Sequence, residues 1–174
     1  MQVAVNLSPR CLLEPTFPRL VQDLLDEHQL PPHLLRLEIT ESTVMIDPAG
    51  ALASLTALQQ SGISLSIDDF GTGYSSMSYL KRLPVDELKI DRSFIKDMLS
   101  DNSDNVLVRS SVDLGHNLGL SVVAEGVEDQ ATATALAGLG CDVLQGYHLA
   151  RPMTATATTE WMRTRAAQPT LAAT

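Results

Sequence analysis

Six times along the chain, a short run with apolar residues at alternate positions gives way to a longer stretch with apolar residues three and four apart. The first period is that of a half-buried strand and the second that of an amphipathic helix. The strand-like segments are residues 2–7, 35–40, 63–68, 86–90, 120–124 and 142–146. Strands separated by whole helices cannot pair as hairpins. They pair in parallel through helical crossovers, which makes the chain an α/β protein built on a parallel sheet. Two architectures satisfy this pattern, a doubly wound open sheet and a (β/α) barrel.

The helical segments have readable ends. Residues 17–28 carry a stripe of Leu20, Val21, Leu24 and Leu25, and Pro31 and Pro32 stop it. Asp47 followed by Pro48 is a cap and a first-turn proline. Leu52, Leu55 and Leu58 then keep helical spacing up to Gly62. A short helix is expected over 74–83, ended by Pro84, and others over 92–99 and 104–118. Asp129 caps a helix running to Leu139, and Thr154 opens the last one, which carries Trp161 as a packing anchor. The expected organisation is one domain over residues 1–165 and a frayed Ala- and Thr-rich tail over 166–174.

Residues 66–76 read SIDDFGTGYSS, so an apolar alternation through Ile63, Leu65 and Ile67 stops at two adjacent carboxylates, Asp68 and Asp69. Neighbouring carboxylates repel unless a cation lies between them, and a divalent metal is the obvious one. An aspartate turn with one helix cap explains the stretch equally well at this point. The Asp-Phe-Gly within it does not mark a protein kinase, because no VAIK lysine or HRD loop accompanies it. An EF-hand loop fails because Phe70 stands where an oxygen ligand is needed. Ser75 and Ser76 read as loop hydrogen-bonding groups, not nucleophiles. Polar residues recur at the carboxyl ends of the strands: Asn6, Glu38, Asp68 with Asp69, Lys89, Glu125 and Gln145. In a barrel those ends converge on one mouth, whereas in an open sheet they spread along an edge. The barrel is therefore the favoured fold.

Composition removes other options. The formal net charge is −9, from 12 Lys+Arg against 21 Asp+Glu, so there is no basic field for a nucleic-acid polymer or an anionic membrane. No apolar run reaches the length of a membrane span, and the opening MQVAVNLSPR lacks the pattern of a signal peptide. Cys11 and Cys141 have no CxxC spacing and read as reduced and inert, which suits a cytoplasmic protein. His28, His33, His116 and His148 are scattered without metal spacing.

The motifs NLS at Asn6, EITE at Glu38, DDFGTGYSS at Asp68, KID at Lys89, AEGVE at Ala124 and QGY at Gln145 resemble, in order, those of the EAL domain family. Its members are bacterial phosphodiesterases that hydrolyse cyclic di-GMP to linear pGpG. The resemblance implies a modified TIM-type barrel with one antiparallel strand. It also implies a two-metal site for Mg²⁺ or Mn²⁺: Asn6 and Glu38 on one ion, Asp68 bridging, Asp69 and Glu125 on the other. Lys89 and Gln145 would position the attacking water, with Asp69 also in the catalytic group. Glu41 and Glu128 would support the DDFGTGYSS loop. An all-oxygen donor set without clustered histidines suits such hard cations.

The sequence contains no Glu-Ala-Leu tripeptide and starts at the NLS strand. A barrel of this type needs about 250 residues. The 174 here therefore correspond to about six of eight βα units, an incomplete barrel. The expectation is a truncated EAL phosphodiesterase-like domain with impaired hydrolysis, short of the EAL glutamate ligand and with doubtful metal occupancy. The alternative is a non-catalytic module for cyclic di-GMP binding or protein interaction. The resemblance further implies a homodimer and a sensory or GGDEF partner domain in a longer protein.

Overall fold

The computed structural model describes residues 2–72 and 77–166. Six strands, β1 (Val3–Asn6), β2 (Leu35–Thr40), β3 (Ser64–Phe70), β4 (Glu87–Ile90), β5 (Ser121–Ala124) and β6 (Val143–Leu144), lie side by side in chain order. All five pairings are parallel. A doubly wound sheet reverses its strand order at a switch point; an unbroken order is the signature of a sheet curling in one sense. The result is a half-barrel, as the sequence pattern predicts. The antiparallel strand implied by the resemblance is not found among the described residues.

Alternation sorts each strand onto two faces. Leu37 and Ile39, Leu65 and Ile67, Leu88 and Ile90, Val122 and Ala124 are buried in the hydrophobic core between sheet and helices. Each fully buried side chain of this size contributes about 1.5–3 kcal/mol. The other face carries Arg36 and Glu38, Ser66 and Asp68, Glu87 and Lys89, most of them buried as well.

Around the sheet run α1 (Pro9–Leu12), α2 (Phe17–Glu27), α3 (Glu41–Ile46), α4 (Pro48–Gln60), α5 (Met77–Leu80), α6 (Arg92–Asp97), α7 (Asn102–Asn117), α8 (Gln130–Gly138) and α9 (Ala155–Ala166). Asp47 and Asp129 cap α4 and α8 as expected, accepting from Gly50 N–H and Thr132 N–H. The cap of α7 is Asp101, so that helix starts before the expected Asp104. Two short helices, α1 and α3, fall where no periodicity is readable, because four to six residues are too few to show one. The helix expected over 74–83 lies partly outside the described residues; within them α5 is a single turn. The expected tail beyond 166 also lies outside them.

The stripe expected on α2 is only half used. Val21 and Leu25 are buried, but Leu20 and Leu24 are exposed, as are Val3 and Val5 of β1. β1 is the first strand of the sheet, and Val3 and Val5 share a face with Leu35 and Leu37 by register. No described helix covers that side of the edge strand.

Candidate functional site: a carboxylate rim around Lys89

β3 does not end at Asp68 as its alternation suggests; it runs on through both aspartates to Phe70, with a register shift between Ile67 and Phe70. Two consecutive strand residues normally face opposite sides of a sheet. Here the irregularity and a left-handed backbone at Asp69, φ 54°, break that rule. Asp69 N–H donates to Asp68 Oδ1 at 3.0 Å, and both carboxylates interact with Lys89. The sequence places two charges at this spot; the bulge brings both to one rim.

Lys89 is the hub. Its ammonium lies 2.7 Å from Glu38 Oε1, 3.4 Å from Asp68 Oδ1 and 2.5 Å from Glu125 Oε1, and its side chain is only 4% exposed. These three carboxylates come from β2, β3 and the residue following β5, so the residues singled out in the sequence do converge. Asn6 ends β1 in register with Glu38, and Leu7 N–H donates to Glu38 O at 2.8 Å.

Gln145 follows β6, its N–H bonded to Ala124 O at 2.9 Å, and it is exposed. Among the described residues no polar contact joins its side chain to Lys89. Glu128 is exposed beside Arg92, Ser93, Lys96 and Gly126. Glu41 is buried at the start of α3, and neither carboxylate oxygen has a hydrogen-bond partner. It borders a small apolar cavity with Val44, Met45, Ile67, Tyr79, Leu80 and Leu83. Part of the loop it was expected to support, residues 73–76, lies outside the described residues.

The titration behaviour follows from one ammonium serving several carboxylates. Burial alone lowers a lysine pKa, but hydrogen bonds to Glu125 and Glu38 outweigh it and hold Lys89 above its ordinary value. Glu125 is nevertheless pushed up by burial, with Asp68 and Glu38 adding repulsion that Lys89 only partly offsets. Asp69 is raised by burial, then by Asp68 and Asp91. Cys141, pushed up to about 11 by burial, matches the inert thiol expected.

Two features escaped the sequence reading. Asp91 interacts directly with the Asp69 carboxylate, while Ser93 bonds outweigh burial and hold Asp91 itself low. Arg36 forms an ion pair with Glu87 below the rim. The signal for both was the period-two charge pattern in LRLEIT and ELKID, which marks a polar inner face.

Among the described residues no three His, Cys, Asp or Glu side chains form a ready-made metal cage. The rim still fits a hard cation: its donors are all oxygens on strand ends, they are crowded, and they carry more negative charge than Lys89 neutralises.

Residues 1–152 match the EAL domain model. Over 153 residues the chain is 49% identical to the bifunctional diguanylate cyclase/cyclic di-GMP phosphodiesterase MucR of Pseudomonas aeruginosa, covering 88% of this chain and 22% of MucR. The solved PaMucR phosphodiesterase in complex with c-di-GMP superposes with a TM-score of 0.87 at 48% identity, covering 90% of this chain and 64% of that one. The Klebsiella pneumoniae BlrP1 calcium/cyclic di-GMP complex gives 0.81 at 35% identity, covering 87% and 39%. The chain thus spans about a fifth of the length of the curated relatives it matches first. With the family model covering most of the chain and the half-barrel superposing on solved relatives, the protein belongs to the EAL domain family.

Proposed function

We propose that this chain carries the substrate-binding and metal-holding rim of a cyclic di-GMP phosphodiesterase, which opens the cyclic dinucleotide to linear pGpG. The observation that carries the reading is the convergence of Glu38, Asp68 and Glu125 on Lys89 at the carboxyl ends of parallel strands. In the proposal Asn6, Glu38, Asp68, Asp69 and Glu125 hold Mg²⁺ or Mn²⁺, two ions in a complete site. Such ions, when bound, activate a water and neutralise charge developing on the phosphodiester. Lys89 and Gln145 would position the attacking water, Gln145 from the residue that follows β6. Asp69 also belongs to the catalytic group in this proposal. Glu41 and Glu128 support the loop after β3. Binding of c-di-GMP by PaMucR and of calcium with the same ligand by BlrP1 supports ligand and metal class alike.

For these 174 residues taken by themselves, the proposal is binding of cyclic di-GMP with impaired turnover. Lys89 already occupying the centre of the carboxylates favours, as a second reading, a binding module without catalysis. A homodimer, a cytoplasmic setting and a sensory or GGDEF partner domain complete the proposal. The bifunctional MucR supports the last of these.

Calorimetric titration with cyclic di-GMP, with and without Mn²⁺, and chromatographic assay for pGpG test this, with Lys89→Ala as control. Metal-dependent binding with slow, Lys89-dependent pGpG formation is the expected result. Binding without cleavage selects the module; absence of binding in either condition rejects both readings.

A further inference from the structure

Beneath the rim a second ion pair crosses β3. Arg36 of β2 pairs with Glu87 of β4, their side chains 22% and 5% exposed. Two positions further along the same strands, Glu38 and Lys89 make the rim pair. Each strand therefore presents one cation and one anion on its inner face, Arg36 then Glu38 on β2 and Glu87 then Lys89 on β4. Between them β3 offers small residues only. Ser64 accepts from Gln2 Nε2, and Ser66 is fully buried with its hydroxyl unpartnered. No ionic group of β3 competes at this level.

We propose that Arg36 and Glu87 are positioning residues for the rim: by occupying each other they keep Lys89 on Glu38, Asp68 and Glu125, and keep Glu38 free for Lys89. Residues i and i+2 of a strand are about 6.6 Å apart, within the swing of a lysine stem. A buried carboxylate stripped of its partner captures the nearest cation. Without Arg36, that cation for Glu87 is Lys89, which is drawn down from the rim. Without Glu87, the carboxylate nearest to Arg36 is Glu38, which Lys89 then loses. The relevance to hydrolysis rests on the proposed function; the control of Lys89 does not.

The competing account is a simple bolt, an ion pair that fastens β2 to β4 whatever lies above it. Removal of both charges separates the two. Arg36→Met combined with Glu87→Met leaves nothing to fasten β2 to β4, so a bolt is lost. It also leaves no unpaired cation or carboxylate to compete for Glu38 or Lys89, so positioning is kept.

The readout needs neither metal nor substrate. The chain has three lysines, Lys81, Lys89 and Lys96, and only Lys89 is buried. Nitrogen-15 lysine labelling of the full chain therefore gives one protected ammonium resonance. Arg36→Met and Glu87→Met should each shift it and speed its hydrogen exchange about tenfold. The double variant should return to within about threefold of the parent, because removing both charges of a buried pair is commonly tolerated where removing one is not.

Singles that leave the resonance unchanged, or a double as disturbed as the singles, would each overturn the proposal. Should a single variant fail to fold in a thermal melt, the double still decides. Cyclic di-GMP hydrolysis should follow the same order across the variants. A parent that neither binds nor hydrolyses cyclic di-GMP while its Lys89 resonance behaves as expected would reject the functional reading and leave this one standing.

Discussion

Lys89 Nζ and Glu38 Oε1 stand 2.7 Å apart although their strands are not neighbours; β3 runs between them and yields space through Ser66. A salt bridge over an intervening strand draws the inner face of the half-barrel together at the level where Asp68 and Glu125 also arrive.

Replacing Lys89 with methionine should leave these carboxylates buried without their shared cation. Breaking a buried pair from one side costs about 3–5 kcal/mol. Urea denaturation at pH 7 in a chelator should show a loss of that order, and millimolar Mn²⁺ should recover more stability in the variant than in the parent. In the parent, the folded-state pKa of Lys89 lies above the unfolded value of about 10.4. Its contribution is thus fully present below that pH and is lost only as pH rises through the higher folded value. A variant as stable as the parent in chelator would show that Lys89 does not neutralise the rim.

Asp69 illustrates the opposite sign. Burial, Asp68 and Asp91 raise its carboxyl, so its ionised form is penalised on folding. The penalty is absent below about pH 3.9 and fully present above the folded-state value. Asp69→Asn removes the charge, and asparagine tolerates the left-handed backbone at φ 54°. The Asp69 carboxylate is partly solvated and its repulsions are screened, so the expected outcome in chelator is a rise in Tm of at most about 2 °C. Mn²⁺ affinity, read by electron paramagnetic resonance, should fall at least about tenfold if this oxygen is a ligand. Unchanged Mn²⁺ affinity would remove Asp69 from the proposed metal set.

How far the sequence could be read depended on the length scale of each feature. The strand in LRLEIT and the cap at Asp47 were legible because period-two alternation and an Asp-Pro helix start are local signals. The extension of β3 to Phe70 was not, because a bulge and a positive φ at Asp69 depend on pairing with β4. The convergence of Glu38, Asp68 and Glu125 was anticipated from strand ends, but the place of Lys89 at its centre was not. Polar character shows that a residue faces inward; which partner it takes is decided by strands that meet only in the fold. Leu20 and Leu24 make the converse point. Their helical spacing reads as core, yet burial requires a covering element that none of the described residues supplies.

Gly146 is a site where only a missing side chain lets two loops touch. A β-carbon there would lie 2.1 Å from the Val127 carbonyl oxygen and 2.3 Å from its nitrogen, both backbone atoms. The contact is held by Val127 N–H donating to Gln145 O and His148 N–H donating to Val127 O, each at 3.0 Å. Gly146→Ala must push the loops apart, costing about 1–3 kcal/mol in chemical denaturation. Because Gln145 sits inside that latch, its backbone amide resonance should move while those of β2 stay put. An alanine variant with parental stability would mean that the loops relax without the latch.

Asp142 secures the far end of β5, the strand that delivers Glu125. Its Oδ2 accepts from Val122 N–H at 2.8 Å and meets His116 Nε2 at 2.9 Å. Burial pushes its carboxyl up, but these hydrogen bonds more than compensate and hold it below the usual range. A depressed acid contributes stability that is present above the unfolded pKa of about 3.9 and is lost as pH falls through the folded value. Both side chains are 42% exposed, so the ionic half of the contact is screened and worth little. Most of the effect belongs to the bond with Val122. Asp142→Ala should therefore cost about 1–2 kcal/mol at pH 7, and His116→Ala markedly less. High salt should leave the Asp142 effect largely intact, whereas lowering the pH toward 3 should close the gap between variant and parent. If half-molar salt abolished the difference at pH 7, the stabilisation would come from the ion pair with His116, and its assignment to the β5 backbone would fail.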